Sequence, residues 1–317
     1  MFPIGKIVVV GSINMDFVYY VRNHPLPGET ISSDKAELKS GGKGANQAVA
    51  AALAGGNVTL FGAVGNDPFG RDIVDGLGQY GVNTEKIVRK ETTTGTAFIT
   101  VNDAGENTIV IGEGANGRLS VEDLADLPGL LDPASVLLLQ NEIPWSCAEY
   151  AIEAARKQGG KVYLNPAPAA SVPKDIFPQI DVLVLNETEV EFFTGIRFDD
   201  DFSRVHQAAD HLLQAGVKEV VVTLGDKGSF YMNRQGKVIY TSACRVNAVD
   251  TTAAGDTFIG TFIVERQRLS PLKECLLRAG AASAIAVSRA GAQESIPRAD
   301  EVALFMKQLN IERQPED

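Results

Sequence analysis

Short, uninterrupted apolar runs recur along the chain, and stretches with helical spacing lie between them. A strand that is apolar on both faces must be covered on both sides, as in a parallel sheet between two layers of helices. The alternation therefore predicts an α/β fold, a three-layer α/β/α sandwich with a central, mostly parallel sheet. The predicted strands are Lys6–Val10, Val58–Phe61, Val136–Leu139, Val162–Leu164, Val182–Leu185 and Val220–Thr223. The predicted helices are Gly44–Leu53, Trp145–Gln158, Ala254–Arg268, Pro271–Ser288 and Arg298–Leu309.

Two pairs of segments depart from this alternation. Asp16–Arg22 and Glu29–Lys39 mix polar and apolar residues, while Thr96–Val101 and Asn107–Ile111 flank the turn-forming segment Asn102–Gly105. The spacing and the turn chemistry of the second pair predict a hairpin. We expect the two pairs to form a small antiparallel sheet that stands off the main body, with an apolar face that needs a substrate or a second subunit to cover it. Ordinary edge strands are the alternative interpretation.

Composition narrows the classes of function. The 317 residues allow two domains or one α/β domain, and 44% hydrophobic with 22% charged residues is typical of a soluble globular chain. The formal net charge of −11 disfavours nucleic acid and anionic membranes as partners, so an anionic ligand needs a local site. No apolar run approaches the roughly 18 residues of a membrane-spanning helix. Three widely spaced cysteines (Cys147, Cys244 and Cys275) argue against a disulfide framework and favour a reduced, cytoplasmic location.

The most informative segment runs from Asn247 to Gly260, where small residues open a predicted helix. Free backbone N–H groups at a helix N-terminus, together with the helix dipole, bind anions, and small side chains let a phosphoryl group approach closely. Asp256 would lie in the first turn beside such a site, where a carboxylate can accept the proton of an alcohol that attacks phosphorus. The alternative is that Asp256 only caps the helix.

A second glycine-rich segment, Ser40–Ala48, also opens a predicted helix. Lys43 and Asn46 are three residues apart and therefore share one helix face, where a polyol could hydrogen-bond to both. The alternative is a tight turn with a solvated lysine. The segment is not a Walker A loop, because the Gly-x4-Gly-Lys-[Ser/Thr] pattern is absent from the sequence.

Polar residues also follow several predicted strands, and ligands bind at such strand ends in parallel α/β sheets. Asn14 and Asp16 come after the first strand and suit sugar hydroxyls, although an Asx turn is the alternative. Asn186 and Glu189 suit a hydrated Mg²⁺ ion that bridges phosphates. A further set suits a nucleotide and comprises Thr223, Gly225 and Gly228.

Taken in order, these segments resemble the motifs of the ribokinase family of carbohydrate kinases. The matching stretches are GGKGANQAVAA from Gly41, NPAPA from Asn165, NETE from Asn186, TLGDKG from Thr223, DTTAAGDTF from Asp250 and GAQESIP from Gly291. The resemblance implies one ribokinase-like domain over residues 1–317, with a small β-sheet lid formed by about residues 14–38 and 95–112. It also implies that this lid closes over the sugar and forms the interface of a homodimer.

The resemblance further implies transfer of the γ-phosphoryl group of ATP to the 5-hydroxyl of ribose, with Asp256 as the base. The implied ribose ligands are Asn14, Asp16, Gly42, Lys43, Asn46 and Glu142. The implied backbone anion hole consists of Ala254, Gly255 and Asp256. The implied nucleotide contacts are Asn186, Thr223, Gly225, Gly228 and Gly255, with Mg²⁺ beside Glu189. The implied site for a monovalent cation, K⁺, consists of Asp250, Thr252, Ala286, Arg289, Gly291 and Ser295, several of them through backbone carbonyls.

The sequence departs from the family pattern at Gly280, where the family often has an asparagine near the adenine. Two other functions remain. A kinase for another small alcohol, such as deoxyribose, fructose or adenosine, would use the same base and anion hole and differ in its sugar pocket. A non-catalytic sugar sensor would be indicated by loss of Asp256 or its neighbouring glycine, and both are present.

Overall fold

Strands alternate with helices through most of the chain in the computed structural model, which describes residues 4–198 and 202–309. The strands are β1 (Lys6–Val10), β2 (Asn14–Tyr20), β3 (Lys35–Gly41), β4 (Asn57–Gly65), β5 (Ile87–Lys90), β6 (Gly95–Val101), β7 (Asn107–Gly112), β8 (Val136–Gln140), β9 (Lys161–Asn165), β10 (Val182–Asn186), β11 (Glu219–Thr223), β12 (Ser229–Asn233) and β13 (Val238–Thr241). The helices are α1 (Lys43–Leu53), α2 (Pro68–Gln79), α3 (Trp145–Lys157), α4 (Glu187–Thr194), α5 (Phe202–Gln214), α6 (Ala254–Gln267), α7 (Leu272–Val287) and α8 (Ala299–Gln308).

A nine-stranded sheet forms the middle layer, in the order β13-β12-β11-β10-β9-β8-β1-β4-β5. Neighbouring strands are parallel from β11 to β5, and the antiparallel strands β12 and β13 complete the other edge. All six predicted strands lie in this sheet, so the predicted α/β fold is confirmed. Strands β12 and β13 were not predicted, because they lack the continuous Val- and Leu-rich runs of the parallel strands.

Both faces of this sheet are buried, and alternate residues of a strand belong to different cores. In β1, Val8 and Val10 pack in one core with residues of α3 and α5. Ile7 and Val9 pack on the other face with residues of α1, α6 and α7. This arrangement explains why the parallel strands are apolar throughout rather than alternating with polar residues.

Helices α1 and α6 pack unusually closely at Gly260. A Cβ atom at this position would lie 2.5 Å from Ala50 Cβ and 2.6 Å from the backbone nitrogen of Ala51. Asp256 lies one helical turn before Gly260, and residues 46–47 lie one turn before Ala50 and Ala51. The close approach of the two backbones therefore brings polar side chains of α1 to the first turn of α6.

A second, four-stranded sheet stands apart from the central one, in the order β3-β2-β6-β7. Strands β6 and β7 form the predicted hairpin, whose turn is closed by the Gly105 N–H donating to the Asn102 carbonyl at 2.9 Å. The prediction of an antiparallel sheet is wrong at its centre, because β2 and β6 are parallel. The predicted strand Glu29–Lys39 is wrong in its first half, since β3 begins only at Lys35. Residues 29–34 are all exposed, so they have no buried face that would stabilise strand pairing.

Within the described residues, every helix is either too short or too polar to cross a bilayer.

Candidate active site

Asp256 lies in the first turn of α6 and is only 8% exposed. Its carboxylate accepts two hydrogen bonds from α1: the Asn46 amide donates to Oδ2 at 3.1 Å, and the Gln47 amide donates to Oδ1 at 2.9 Å. The N-terminus of α6 has no side-chain cap, so the alternative that Asp256 caps its own helix does not describe the structure. The orientation of this carboxylate is set instead by a neighbouring helix.

The hydrogen bonds of Asp256 continue into a buried network of amide side chains. The Gln47 amide group also donates to Asn165 Oδ1 at 3.0 Å, and its oxygen accepts from Gln140 Nε2 at 2.5 Å. Asn46 Oδ1 accepts from Gln293 Nε2 at 3.2 Å. Since Gln140 and Asn165 are the last residues of β8 and β9, the network fixes Asp256 relative to the edge of the central sheet.

The turn before α6 leaves backbone donors open. Ala253 has φ +59°, a left-handed conformation that is rare for a residue with a side chain and is often found at functional sites. The Ala254 N–H donates to the Thr251 carbonyl at 3.3 Å, whereas no residue of the described chain accepts the N–H of Gly255 or Asp256. Gly255 is exposed, and a Cβ there would meet no atom within 4 Å. Two of the three expected anion-hole donors are therefore free, with open space before them.

Lys43 begins α1 and faces the same region. Burial alone would lower the pKa of its ammonium group, but the nearby carboxylates of Asp256, Glu142, Glu189 and Asp16 raise the pKa above its ordinary value. The lysine therefore stays charged and offsets a concentration of negative charge.

The small sheet contributes Asn14 and Asp16, which lie in β2 rather than in an Asx turn. Asn14 Oδ1 accepts a hydrogen bond from Asn116 Nδ2 at 2.7 Å. Asp16 is 8% exposed, and no residue of the described chain hydrogen-bonds to its buried Oδ1. Burial, reinforced by the negative charges of Glu142, Asp256 and Glu294, raises the pKa of Asp16 to about 7. A buried acceptor without a partner indicates a place for a ligand hydroxyl.

Two further expected sugar ligands connect α1 to the sheet edge. Glu142 Oε2 accepts from Ser12 Oγ at 2.5 Å and from the Lys43 backbone N–H at 3.2 Å. Gly42 has φ +89°, and a Cβ there would lie 2.8 Å from the Asn14 backbone nitrogen. Only glycine fits this junction between β3 and α1 without strain.

The expected nucleotide residues lie at the ends of neighbouring strands. Asn186 and Thr223 end β10 and β11 and are paired in register. Asn186 caps α4 and forms a capping box with Glu189, since the Glu189 N–H donates to Asn186 Oδ1 at 2.8 Å and Glu189 Oε2 accepts from the Asn186 N–H at 3.0 Å. Gly225 and Gly228 shape the next turn with φ +54° and +110°.

The expected monovalent-cation loop surrounds Asp250. Its Oδ1 accepts from the Thr252 N–H at 2.9 Å and its Oδ2 from the Gly291 N–H at 3.0 Å. Burial alone would raise the pKa of Asp250, but these hydrogen bonds and the charge of Lys39 lower it, so the carboxylate is ionised. Two other expected members turn their side chains elsewhere: Arg289 pairs with Glu301, and Ser295 Oγ donates to the Ala292 carbonyl at 2.7 Å.

Four side chains that support this region were not predicted from the sequence. They are Gln47, Asn116, Gln140 and Gln293, and all four are buried. Gln47 and Gln293 stand inside motifs that were recognised, and Gln140 directly follows the predicted strand Val136–Leu139, so a polar residue beside apolar ones was the available signal. Asn116 lies outside these motifs, and its contact with Asn14 depends on tertiary structure alone.

The α/β sandwich, the second sheet and the open helix N-terminus beside a carboxylate define a phosphotransferase type of site. The family model "pfkB family carbohydrate kinase" matches residues 5–299. The chain therefore belongs to the pfkB family of carbohydrate kinases.

Individual relatives narrow this class. The chain is 39% identical over 302 residues to the ribokinase of Haemophilus influenzae, covering 95% of this chain and 98% of that protein. It is 36% identical over 293 residues to the deoxyribokinase of Salmonella typhimurium, covering 92% and 95%. The structure of Arabidopsis thaliana ribokinase, complexed with ribose and ATP, superimposes with a TM-score of 0.87 at 34% identity, covering 96% and 99%.

Proposed function

We propose that this protein transfers the γ-phosphoryl group of ATP to O5 of D-ribose. The observation that carries the proposal is the buried Asp256 carboxylate, held by two α1 amides beside two free N–H groups at the start of α6. The similarity to a ribokinase, and to the structure of another ribokinase complexed with ribose and ATP, supports ribose and ATP as the substrates.

Asp256 would act as the general base. As the 5-hydroxyl attacks phosphorus, its proton passes to one Asp256 oxygen and the bond from phosphorus to the leaving ADP oxygen breaks. The hydrogen bonds from Asn46 and Gln47 hold the carboxylate in place while this happens. Phosphoryl transfer depends mainly on such positioning and on neutralising the charge of the equatorial oxygens.

Charge neutralisation would come from the chain itself at two points. The N–H groups of Gly255 and Asp256, with that of Ala254 once released from Thr251, face developing negative charge at a helix N-terminus. Lys43, which remains protonated, adds a full positive charge among the carboxylates. Closure of the small sheet as a lid would exclude water, which could otherwise compete with the sugar as phosphoryl acceptor.

The residues present fit two metal ions in different ways. No cluster of three or more metal-ligating side chains occurs among the described residues, so Mg²⁺ would be held mostly by phosphates and water, with Glu189 and Asn186 nearby. K⁺ would be held by the ionised Asp250 carboxylate, by the Ala286 carbonyl in the last turn of α7 and by the Gly291 carbonyl in the loop that follows. When bound, these ions supply positive charge to the phosphates and to the turn before α6.

A second substrate is favoured by one comparison. The similarity to a deoxyribokinase is nearly as high as that to the ribokinase, so 2-deoxyribose is the second candidate. The base and the anion hole would be the same. Only contacts to the 2-hydroxyl would separate the two sugars.

The small sheet would also form a homodimer interface. Leu38, Phe98 and Val110 are 57%, 47% and 63% exposed, and the strand register places them in one row with Phe17 across all four strands. Such an apolar row on a stand-off sheet is typical of a protein interface. The need for ATP and the three free cysteines support a cytoplasmic location.

The test is an ATP-consumption panel over ribose, 2-deoxyribose, fructose, tagatose and adenosine in potassium buffer. We expect ribose to give the highest kcat/KM and the product to be phosphorylated at O5 by NMR. A higher kcat/KM for 2-deoxyribose would select the second candidate. Absence of sugar-dependent turnover with every acceptor would overturn the kinase assignment.

A further inference from the structure

Lys39, a residue that the proposed chemistry does not use, connects the small sheet to the main body. It lies in β3, and its ammonium is 3.2 Å from Glu37 Oε2 in the same strand. It is also 3.9 Å from Asp250 Oδ2, which belongs to the turn before α6. Only 14% of its side chain is exposed, so this is not a fully solvated surface pair.

Lys39 is also linked to the sugar side of the site. In the β2–β3 pair it lies directly opposite Asp16, and opposed residues of antiparallel strands project from the same face. Its positive charge lowers the pKa of Asp16, against the larger effects of burial and of neighbouring carboxylates that raise it. Lys39 therefore lies between a proposed sugar ligand and the proposed anion hole.

Asp250, which Lys39 contacts, hydrogen-bonds to two segments beside the proposed anion hole. Asp250 Oδ1 accepts from the Thr252 N–H, and Thr252 directly precedes Ala253, the residue with φ +59° just before α6. Asp250 Oδ2 accepts from the Gly291 N–H and holds the facing loop. A cleft of about 400 Å³ separates β3 from this loop, with Glu37, Lys39 and Glu294 among its lining residues. Across that cleft, the lysine side chain is a direct connection between sheet and body.

We propose that Lys39 is a positioning residue that couples the small sheet to the turn before α6. When the sheet closes on a sugar, the Lys39–Asp250 ion pair forms and fixes the turn that presents the N–H groups of Gly255 and Asp256. In the open state the pair is broken and the turn is less constrained. This coupling rests on the proposed function of the site. In it, Lys39 determines how strongly sugar binding orders the N–H groups that bind the phosphoryl group.

The variant Lys39→Met keeps the length of the side chain and removes its charge. We expect kcat/KM for the sugar to fall on the order of tenfold, as is typical of coupling between two sites, with a lower kcat and a reduced sugar-induced rise in Tm. The Tm of the sugar-free protein should remain near that of the wild type. Lys39→Arg should restore most of the lost kcat, because it can still pair with Asp250.

Lys35→Met is the matched control. Lys35 lies in the same strand and pairs with Glu37 at 2.7 Å, but it is 63% exposed and has no contact with Asp250. It should behave as the wild type. A double variant, Lys39→Met with Asp250→Asn, should lose no more kcat than Asp250→Asn alone, because both changes break one connection.

These experiments test the role of Lys39 independently of whether ribose is the substrate. The variants are compared on whichever sugar of the panel the wild type phosphorylates, so a different substrate leaves the comparison intact. Equal kcat and KM for Lys39→Met and Lys35→Met, or additive losses in the double variant, would overturn the coupling. A loss in Lys39→Met that Lys39→Arg does not restore would also overturn it.

Discussion

Asp256 and Asp16 are two buried aspartates whose surroundings differ. Asp256 has both oxygens occupied by amide donors of α1, whereas Asp16 Oδ1 has no partner in the described chain. A carboxylate whose orientation is fixed by hydrogen bonds from a neighbouring helix suits proton transfer. A carboxylate with a buried oxygen that has no partner suits ligand binding. The sequence identified both residues, because each stands in a recognisable motif. It could not show this difference, because the donors to Asp256, Asn46 and Gln47, are 210 and 209 residues away along the chain.

Replacing Asp256 tests the proposed base. We expect Asp256→Asn to reduce kcat about 100-fold or more, because the amide cannot take up the proton of the attacking hydroxyl. The fold should be preserved, since the side-chain volume is nearly unchanged, with a modest loss of stability because the amide nitrogen cannot accept one of the two hydrogen bonds from α1. Steady-state kinetics and thermal unfolding measure the two effects. Glu274→Gln, in the first turn of α7, is the control with full activity, and wild-type turnover in Asp256→Asn would rule out the base.

Asp16 should make stability depend on pH. Its pKa is about 7 in the folded protein and near 3.8 when the chain is unfolded, so between these values only the folded state holds the proton. The contribution of Asp16 to the free energy of unfolding is therefore fully present at low pH, and it is lost as the pH rises from about 4 to 7. The shift spans roughly three units, which sets an upper bound of about 4 kcal/mol.

Asp16→Asn should remove this dependence. We expect the variant to exceed the wild type in free energy of unfolding at pH 8 by roughly 1–4 kcal/mol, and to match it only below the unfolded pKa, at about pH 3. Its sugar KM should rise, because an amide is a weaker acceptor for hydroxyls than a carboxylate. Urea unfolding at both pH values measures the effect, with Asp103→Asn, an exposed aspartate of the small sheet, as control. An equal difference at the two pH values would contradict the assignment.

At the scale of elements, the site depends on how closely α1 and α6 pack. The sequence predicted both helices nearly to their ends, because each opens on small residues and has an apolar or alanine-rich body. It also indicated that polar residues would follow parallel strands, since all such strands end at one edge. It did not show that Asn46 and Gln47 bind Asp256. That contact arises from the small residues Ala50, Ala51 and Gly260 one turn further along, which let the helix backbones approach.

Gly260→Ala tests this packing. The added methyl would lie 2.5 Å from Ala50 Cβ, so the helices must separate and the hydrogen bonds to Asp256 must lengthen. We expect a loss of stability of about 1–3 kcal/mol together with a lower kcat. Gly76→Ala in α2 is the control, because a Cβ there meets nothing within 4 Å. The control should gain about 0.5–1 kcal/mol from helix propensity, and a similar gain in Gly260→Ala would contradict the packing argument.

At the scale of the whole molecule, the central sheet and the small sheet differ in how they are stabilised. The central sheet is buried on both faces, whereas β7 is exposed along nearly its full length. The sequence predicted the hairpin from its turn chemistry. It missed the parallel pairing of β2 with β6, because these strands are far apart in the sequence, with several strands and helices between them. Sequence pattern indicates local pairing well, and long-range pairing is decided by packing.

The apolar row of the small sheet predicts that two copies of the chain associate through this face. Leu38, Phe17, Phe98 and Val110 are paired in register across β3, β2, β6 and β7, and Phe17 stacks on Phe98 at 4.9 Å. If a second copy covers this row, Val110→Asp buries an unpaired charge at the interface and should convert the dimer to a monomer at micromolar concentration. Light scattering after size-exclusion chromatography measures the mass.

Thr108→Asp supplies the comparison for that measurement. Thr108 is exposed, lies in the same strand and projects from the same face as Val110, but it is opposite Thr100 rather than an apolar residue. It should leave the dimer intact. The Val110→Asp monomer should also bind sugar more weakly, because a sheet without its neighbour is less constrained over the site. A wild-type protein that is monomeric at these concentrations, or a Val110→Asp dimer, would show that this face is not the interface.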